Sequence, residues 1–112
     1  MNVEVSAARQ KIYEKLNNNV MTVLDYIQAN VKEIVEVGVF GSFARGTFTA
    51  LSDSDLYVVS KNTLKHSVRG EVRCFAEEHS CDVVFFTEDN FVESHSLLAQ
   101  KIYKERRVLY GP

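Results

Sequence analysis

The sequence VFGSFARGTFTALSDSDLYVV, from Val39 to Val59, decides the fold prediction. The stretch begins at the end of a run of β-branched and aromatic residues, which Gly41-Ser42 interrupts. After a polar turn it ends in a second run of the same composition. β-branched and aromatic residues favour strands, and glycine beside a polar residue ends them. We therefore predict two strands, Ile34–Phe40 and Asp55–Val59. The link between them holds at most a turn or two of helix, from Phe43 to Phe48.

The rest of the chain predicts a third strand and three helical segments. The run CDVVFF, Cys81–Phe86, has the composition of a strand. Apolar residues recur every three or four positions, as on one face of a helix, in three segments: Ser6 to about Asn30, Thr63–His79, and Thr87 to about Arg106. The triplet Asn17-Asn18-Asn19 leaves open whether the first segment is one helix or two, with Asn19 capping the second.

This order of elements predicts an α/β (α+β) fold, a small mixed sheet of three to four strands flanked by helices. We expect a single domain over residues 1–112. Val108–Tyr110 either pairs briefly as a fourth strand or trails off. The strands need not all be parallel, because the link from Phe40 to Asp55 is short and contains little helix.

Composition and charge exclude several classes of protein. Of the 112 residues, 46% are hydrophobic, well above the range of disordered chains. The net charge of −2 argues against a dedicated nucleic-acid binder, since such domains usually carry a basic surplus. No apolar stretch approaches the ~20 residues that span a bilayer, and no secretory signal is recognisable. Cys74 and Cys81 form no metal-binding or disulfide pattern, so we expect a reducing, cytoplasmic setting.

The Gly41-Ser42 pair is a candidate phosphate cradle. A glycine lets backbone N–H groups approach an anion closely, and a turn that opens a helix adds a favourable dipole. The hydroxyl of Ser42 can donate to a phosphate oxygen. Such pairs are common at strand ends, so this half of the motif is weak when taken alone.

Two carboxylates of this stretch, with a third further along the chain, suggest its chemistry. Residues i and i+2 of an extended strand project on the same face, so Asp53 and Asp55 can reach one point. Two close carboxylates repel unless a cation lies between them, and Mg²⁺ binds one or two carboxylates together with substrate phosphates. Asp82 opens the third strand, and it joins the same edge if that strand lies beside Asp55–Val59.

Each of these features has an ordinary structural explanation. Asp53-Ser54-Asp55 can be a solvated turn with an Asx cap, and Asp82 can be an exposed residue at the start of a strand. Their occurrence together with Gly41-Ser42, each at a strand edge, favours a site for metal-assisted phosphoryl chemistry.

Gly41-Ser42, ten intervening residues and then Asp53-x-Asp55 resemble the GS-x10-D-x-D signature of the DNA polymerase β-like nucleotidyltransferase superfamily. In the hexapeptide GSFARG and in its small size, the chain is most similar to the minimal nucleotidyltransferase (MNT) branch of this superfamily. The resemblance covers roughly Ile34 to Phe86. One departure is Phe43, where many relatives carry arginine or another polar residue; Arg45 remains as a candidate phosphate contact.

The resemblance implies roles for these residues. Gly41 and Ser42 would hold the phosphates of an NTP, Asp53 and Asp55 would ligate Mg²⁺, and Asp82 would be the third metal-binding carboxylate and the general base. An acceptor would attack the α-phosphorus, with ATP the expected donor and pyrophosphate the leaving group. Relatives pair with helical HEPN-type proteins, and some act as antitoxins by adenylylating that partner.

Three functions follow as expectations. The first is a Mg²⁺-dependent nucleotidyltransferase acting on a protein or small-molecule acceptor, with a HEPN-type partner or a homodimer completing the site. The second is a non-catalytic interaction module that keeps the fold and binds a helical partner. The third is a drug-modifying transferase, which the absence of an obvious acceptor-binding domain disfavours.

Overall fold

A computed structural model describes residues 3–93 and 96–111 of the chain. The helices are α1 (Val3–Asn30), α2 (Gly41–Arg45), α3 (His66–Glu78), α4 (Glu88–Glu93) and α5 (Leu97–Glu105). The strands are β1 (Ile34–Phe40), β2 (Ser54–Ser60), β3 (Cys81–Thr87) and β4 (Arg107–Tyr110). The predicted strands are thus all present, and each boundary lies within one residue of its expected position.

The four strands form one mixed sheet in the order β3-β2-β1-β4. β1 pairs antiparallel with both β2 and β4, whereas β2 and β3 are parallel and joined through α3. The mixed α/β prediction is confirmed, and the C-terminal segment left open by the sequence is a fourth strand. The antiparallel pairing of β1 with β2 follows from the short link, because a parallel pair needs a crossover of a dozen or more residues.

One face of the sheet is covered by α1 and α3. α1 is a single continuous helix, which settles the question raised by the asparagine triplet. Its apolar stripe continues on both sides of that triplet and packs against Val37, Val39, Leu56 and Val58 of the sheet. The buried residues of the stripe are Leu16, Val20, Val23, Leu24, Ile27 and, just beyond the helix, Val31.

The opposite face of the sheet is covered by α4 and α5. Its smaller core contains Phe40, Tyr57 and Val59 from the strands, with Phe91 from α4 and Ile102 from α5. The rings of Tyr57 and Phe91 stack at a centroid distance of 5.3 Å. This second layer brings the C-terminal part of the chain over the sheet.

The prediction of one helix from Thr87 to about Arg106 was wrong. The structure has two helices there, and Ser96 adopts an extended conformation in front of α5. The Ser96 hydroxyl accepts a hydrogen bond from the Ala99 backbone N–H at 3.0 Å, the usual N-cap arrangement. Apolar periodicity continues across this point, but the extended backbone of Ser96 is incompatible with one uninterrupted helix.

The shorter helices also differ from their predicted bounds. The link between β1 and β2 carries α2, which begins at Gly41 rather than Phe43 and ends before Phe48. The third helix begins at His66, three residues later than expected. No helix in the described ranges is both long and apolar enough to cross a membrane.

A buried polar network fixes the second layer to the sheet. The Tyr57 hydroxyl donates to Glu36 Oε2 at 2.5 Å, and Arg106 Nε lies 3.1 Å from the same oxygen. Tyr57 is fully buried, and Glu36 is 9% exposed. Burial and the Glu36 carboxylate raise the pKa of Tyr57 well above its ordinary value. A carboxylate on β1 therefore connects β2 to the residue that follows α5.

We expect Tyr57→Phe to lower the free energy of unfolding by about 1.5–3 kcal/mol, because it removes a hydrogen bond to a buried charged group. Denaturant unfolding measures this difference. Tyr103→Phe is the matched control, since Tyr103 is 52% exposed and also keeps its ring. Equal stability of the two variants would show that the Tyr57–Glu36 bond contributes nothing.

Candidate active site

Asp55 and Asp82 lie side by side at one edge of the sheet. β2 and β3 are parallel, and Asp55 is the register partner of Asp82. Register partners in neighbouring strands project on the same face and lie about 4.8 Å apart along the hydrogen-bonding direction. Asp55 is half-buried and Asp82 is exposed. The adjacency on which the sequence argument depended is therefore present.

Asp53 stands one residue before β2, near enough to Asp55 for its charge to act on that carboxyl. It is exposed, and its charge acts on both Asp55 and Cys81. Ser54, between the two aspartates, is fully buried. The side chains of the triplet therefore alternate in direction. Ser54 faces the apolar core, whereas the two carboxylates face solvent or the edge of the sheet.

Gly41 brings the glycine–serine pair into contact with the carboxylates. Phe40 is the register partner of Asp55, so β1 ends beside the start of β2. A Cβ atom added to Gly41 would lie 2.5 Å from Asp55 Oδ2, and the residue has a φ of +74°. Only glycine satisfies both conditions without strain. The backbone of Gly41 therefore lies directly against the Asp55 carboxylate.

Ser42 continues from Gly41 into the first turn of α2 and is half-buried. Phe40 occupies the N-cap position, where it offers no side-chain hydrogen bond to the helix. The first N–H groups of a helix have no partner within the helix. The first N–H groups of α2 therefore need an acceptor from outside the helix. They lie at the edge of the sheet where the carboxylates lie.

The charge on Asp55 is disfavoured in this structure. Burial raises the pKa of the Asp55 carboxyl, and the neighbouring carboxylates Asp82 and Asp53 raise it further. Lys101 and Arg45 oppose this effect only in part. The physical cause is a desolvated carboxylate among like charges, which a bound cation would relieve.

Cys81, on the other face of the sheet, is affected by the same negative charges. Its thiol is buried, and burial together with the charges of Asp53, Asp82 and Asp55 raises its pKa to about 12. Cys81 is therefore a neutral thiol at physiological pH. Its Sγ donates to the backbone oxygen of His79 at 3.4 Å.

The predicted phosphate contact Arg45 lies at the end of α2, where it is paired. Its Nη1 lies 2.7 Å from Glu105 Oε1, with the side chain of Arg45 43% exposed. Lys101, one helical turn before Glu105 on α5, acts on Asp55. Sequence reasoning missed Lys101 and Glu105 as residues of this site. Their only signal was a basic run near the C-terminus, which is equally typical of a solvated helix end.

The described residues contain no group of three or more histidine, cysteine, aspartate or glutamate side chains already arranged to hold a metal ion. The donor set nevertheless fits a hard divalent cation. Mg²⁺ commonly takes one or two carboxylates and completes its shell with water and substrate phosphates. Asp55 and Asp82 supply two adjacent carboxylates, and the raised pKa of Asp55 marks a place where positive charge is stabilising.

Phe43 follows Gly41-Ser42 for a reason that the core explains. It is 1% exposed and stacks on Tyr13 of α1 at a centroid distance of 5.6 Å. The guanidinium of Arg107 lies over the same ring, 5.0 Å from its centroid. The side chain after Gly41-Ser42 therefore anchors α2 to α1 instead of facing the carboxylates.

Comparison with known proteins places this geometry in context. A family model described as a nucleotidyltransferase domain matches residues 20–110. None of the curated proteins matches the chain significantly. The structure is similar to a toxin–antitoxin crystal structure with AMP-PNP, at 25% identity and a TM-score of 0.62, over 85% of this chain and 73% of that chain.

Two further solved structures share the fold. One is a tri-AMPylated HEPN toxin in complex with an MNT antitoxin from Shewanella oneidensis (21% identity, TM-score 0.61, 87% of this chain and 73% of that chain). The other is a putative nucleotidyltransferase from Sulfolobus solfataricus (17% identity, TM-score 0.65, 92% of this chain and 86% of that chain). The family model spans well over half of the sequence, including all four strands and the whole signature. The chain therefore belongs to the nucleotidyltransferase domain family.

Proposed function

We propose that this nucleotidyltransferase domain transfers AMP from ATP to a hydroxyl of a HEPN-type partner protein, at the edge formed by Gly41, Ser42, Asp53, Asp55 and Asp82. The observation that carries the proposal is the contact between two halves of the signature. Gly41 lies against Asp55, and Asp55 lies in register with Asp82. The turn proposed to bind phosphate and the carboxylates proposed to hold the metal therefore lie together in the structure.

Asp53, Asp55 and Asp82 would hold Mg²⁺ together with the phosphates of the nucleotide. When bound, the ion neutralises charge on the triphosphate and on the oxygen that leaves with pyrophosphate. The repulsion that raises the pKa of Asp55 supports this assignment, because a cation among the three carboxylates removes its cause.

The chain's own residues carry the remaining steps. Backbone N–H groups at Gly41 and Ser42, with the Ser42 hydroxyl, bind and orient the phosphates. The acceptor oxygen attacks the α-phosphorus in line, a new P–O bond forms, and the bond to the pyrophosphate oxygen breaks. The carboxylate of Asp82, exposed beside Asp55, accepts the proton of the acceptor hydroxyl.

The exposed surface of α4 and α5 supports a protein acceptor over a small molecule. Leu97 is 84% exposed and Val92 67% exposed, with Leu98 and Tyr103 close to half exposed. Clusters of exposed large apolar side chains mark protein contacts in soluble domains. α5 also carries Lys101, which acts on Asp55. A partner on α5 would therefore lie near the transferring phosphate.

A non-catalytic module that binds a helical partner is the second candidate, and the same apolar surface favours it. The two functions differ in where the label from ATP goes. The chain is co-expressed and purified with a HEPN-type partner and incubated with ATP labelled at either the α- or the γ-phosphorus. Transfer predicts label on the partner from α-labelled ATP only, and none with Asp82→Asn. A stable complex that takes up no label would support the non-catalytic module, and uptake of γ-label would identify a kinase.

Arg45 is proposed to leave Glu105 and bind the triphosphate. The Arg45 end of the pair is 43% exposed and the Glu105 end 17% exposed, so we take its contribution at the upper end of the range for surface pairs, about 1 kcal/mol. We expect Glu105→Gln to tighten ATP binding up to about fivefold, since the competing carboxylate is gone, and Arg45→Gln to weaken it. Calorimetric titration measures both, with Glu77→Gln on the exposed surface of α3 as the control for net charge. Unchanged affinity in Arg45→Gln would remove Arg45 from the site.

A further inference from the structure

A second concave site lies at the opposite edge of the same two strands. A cavity of about 110 Å³ is lined by residues at the carboxyl ends of β2 and β3, by Thr63 and Leu64 from the following loop, and by Arg69 of α3. The carboxylates lie at the amino ends of these strands. Strands of seven residues at about 3.3 Å per residue separate the two sites by roughly 20 Å.

Arg69 is the unusual residue of this cavity. Its Nε is buried and has no hydrogen-bond partner, and no carboxylate pairs with its guanidinium within the part of the chain that the structure describes. A buried donor without an acceptor is unfavourable, and more so when it belongs to a charged group. Arginine normally meets this need through a carboxylate or phosphate that accepts two of its N–H groups.

The other polar groups of the cavity are neutral. Thr87 Oγ1 accepts a hydrogen bond from the Asn90 backbone N–H at 3.2 Å, which leaves the hydroxyl hydrogen available to donate. The Asn90 side chain adds an amide and Thr63 a further hydroxyl, whereas the Ser60 hydroxyl already donates to the Asn62 backbone oxygen at 2.7 Å. The lining residues include one cation and no carboxylate. The cavity therefore offers donors and positive charge to a guest that brings acceptors.

We propose that this cavity binds a small oxyanion of the phosphate or carboxylate class, held by the guanidinium of Arg69 with donors from Thr87 and Asn90. The volume accommodates a few water molecules, hence a group the size of phosphate. The planar guanidinium matches the paired oxygens of either anion. Because the site lies at the far edge of the sheet, its occupant is distinct from a triphosphate bound beside Asp55.

Proton–nitrogen NMR at the arginine Nε–H groups tests this directly, without nucleotide or partner. Inorganic phosphate and, separately, acetate are titrated at constant ionic strength maintained with chloride. We expect a saturable shift of the Arg69 Nε–H signal and of the Thr87 and Asn90 amide signals. Saturation with phosphate alone assigns the site to phosphate groups, and saturation with both anions assigns it to oxyanions in general.

Two variants distinguish the site from general screening. Arg69→Gln should weaken binding by more than about tenfold, as expected for loss of hydrogen bonds to a charged group. Asn90→Asp keeps Arg69 but adds a negative charge, and it should weaken binding as well. Lys11→Gln, exposed on α1 and not among the residues that line the cavity, should bind as the native protein does. Linear shifts equal to those with chloride, or equal binding by Arg69→Gln and Lys11→Gln, would overturn the proposal.

Discussion

Gly41→Ala is expected to reduce nucleotidyl transfer by roughly 100-fold and to destabilise the fold. The new Cβ would stand 2.5 Å from Asp55 Oδ2, so the carboxylate must move. A displacement of about 1 Å at a reacting centre can cost about 100-fold in rate. A left-handed φ costs a further ~1–2 kcal/mol for a residue with a side chain. Transfer assays and denaturant unfolding measure the two effects.

Gly46→Ala separates these causes. Gly46 has a φ of +78°, close to that of Gly41, but a Cβ there would meet no atom within 4 Å. It should therefore show the backbone cost in stability and retain nearly native transfer. If both variants lose transfer equally, backbone strain in α2 is responsible and the contact of Gly41 with Asp55 is irrelevant to activity.

Asp55→Asn is expected to make the metal-free protein more stable at neutral pH while reducing transfer by roughly 100-fold or more. The loss of activity follows because metal-assisted charge stabilisation amounts to several kcal/mol. The gain in stability follows because the folded state raises the pKa of Asp55 from its ordinary value of 3.8, through burial first and then Asp82 and Asp53. The ionised carboxyl therefore opposes folding in the absence of a cation.

The effect of Asp55 ionisation on the free energy of unfolding depends on pH, and its sign follows from the raised pKa. Below pH 3.8 Asp55 is protonated in both the folded and the unfolded state. As the pH rises through the raised pKa, the unfolded state releases its proton first, and the free energy of unfolding falls. The stability advantage of Asp55→Asn in EDTA should therefore grow as the pH rises from 3.8 towards neutrality.

Thermal unfolding across this pH range, with Asp25→Asn on the exposed surface of α1 as the control, measures the difference. The control removes the same charge away from the site and should show no comparable growth. Mg²⁺ should stabilise the native protein more than it stabilises Asp55→Asn. A native protein whose stability exceeds that of Asp55→Asn at neutral pH in EDTA would contradict the electrostatic account.

The parts of the fold and site that the sequence could predict are those with local causes. Strand composition and a short link determine β1, β2 and their antiparallel pairing. The spacing from Gly41 to Asp55 brings one strand end to the next strand start. Asp82 needed one further assumption, that β3 pairs with β2, and a helix between two strands makes this pairing common.

The remaining features depend on contacts that are distant in sequence. Lys101 and Glu105 reach the site because β4 pairs with β1 and draws α5 over the sheet. The ion pair between Arg45 and Glu105 joins residues 60 positions apart. The break at Ser96 was concealed because Phe91 and Ile102, on different helices, both fill the same small core. Periodicity records burial and does not record whether the helix is continuous.

Calorimetric titration of ATP into the purified protein, with Mg²⁺ and again with EDTA, tests the central claim most directly because it needs no acceptor. The account predicts binding in Mg²⁺ that is lost in EDTA and equally lost in Asp53→Asn. The same ATP affinity in Mg²⁺, in EDTA and in Asp53→Asn would contradict it, because the three carboxylates would then have no part in holding a metal–nucleotide complex.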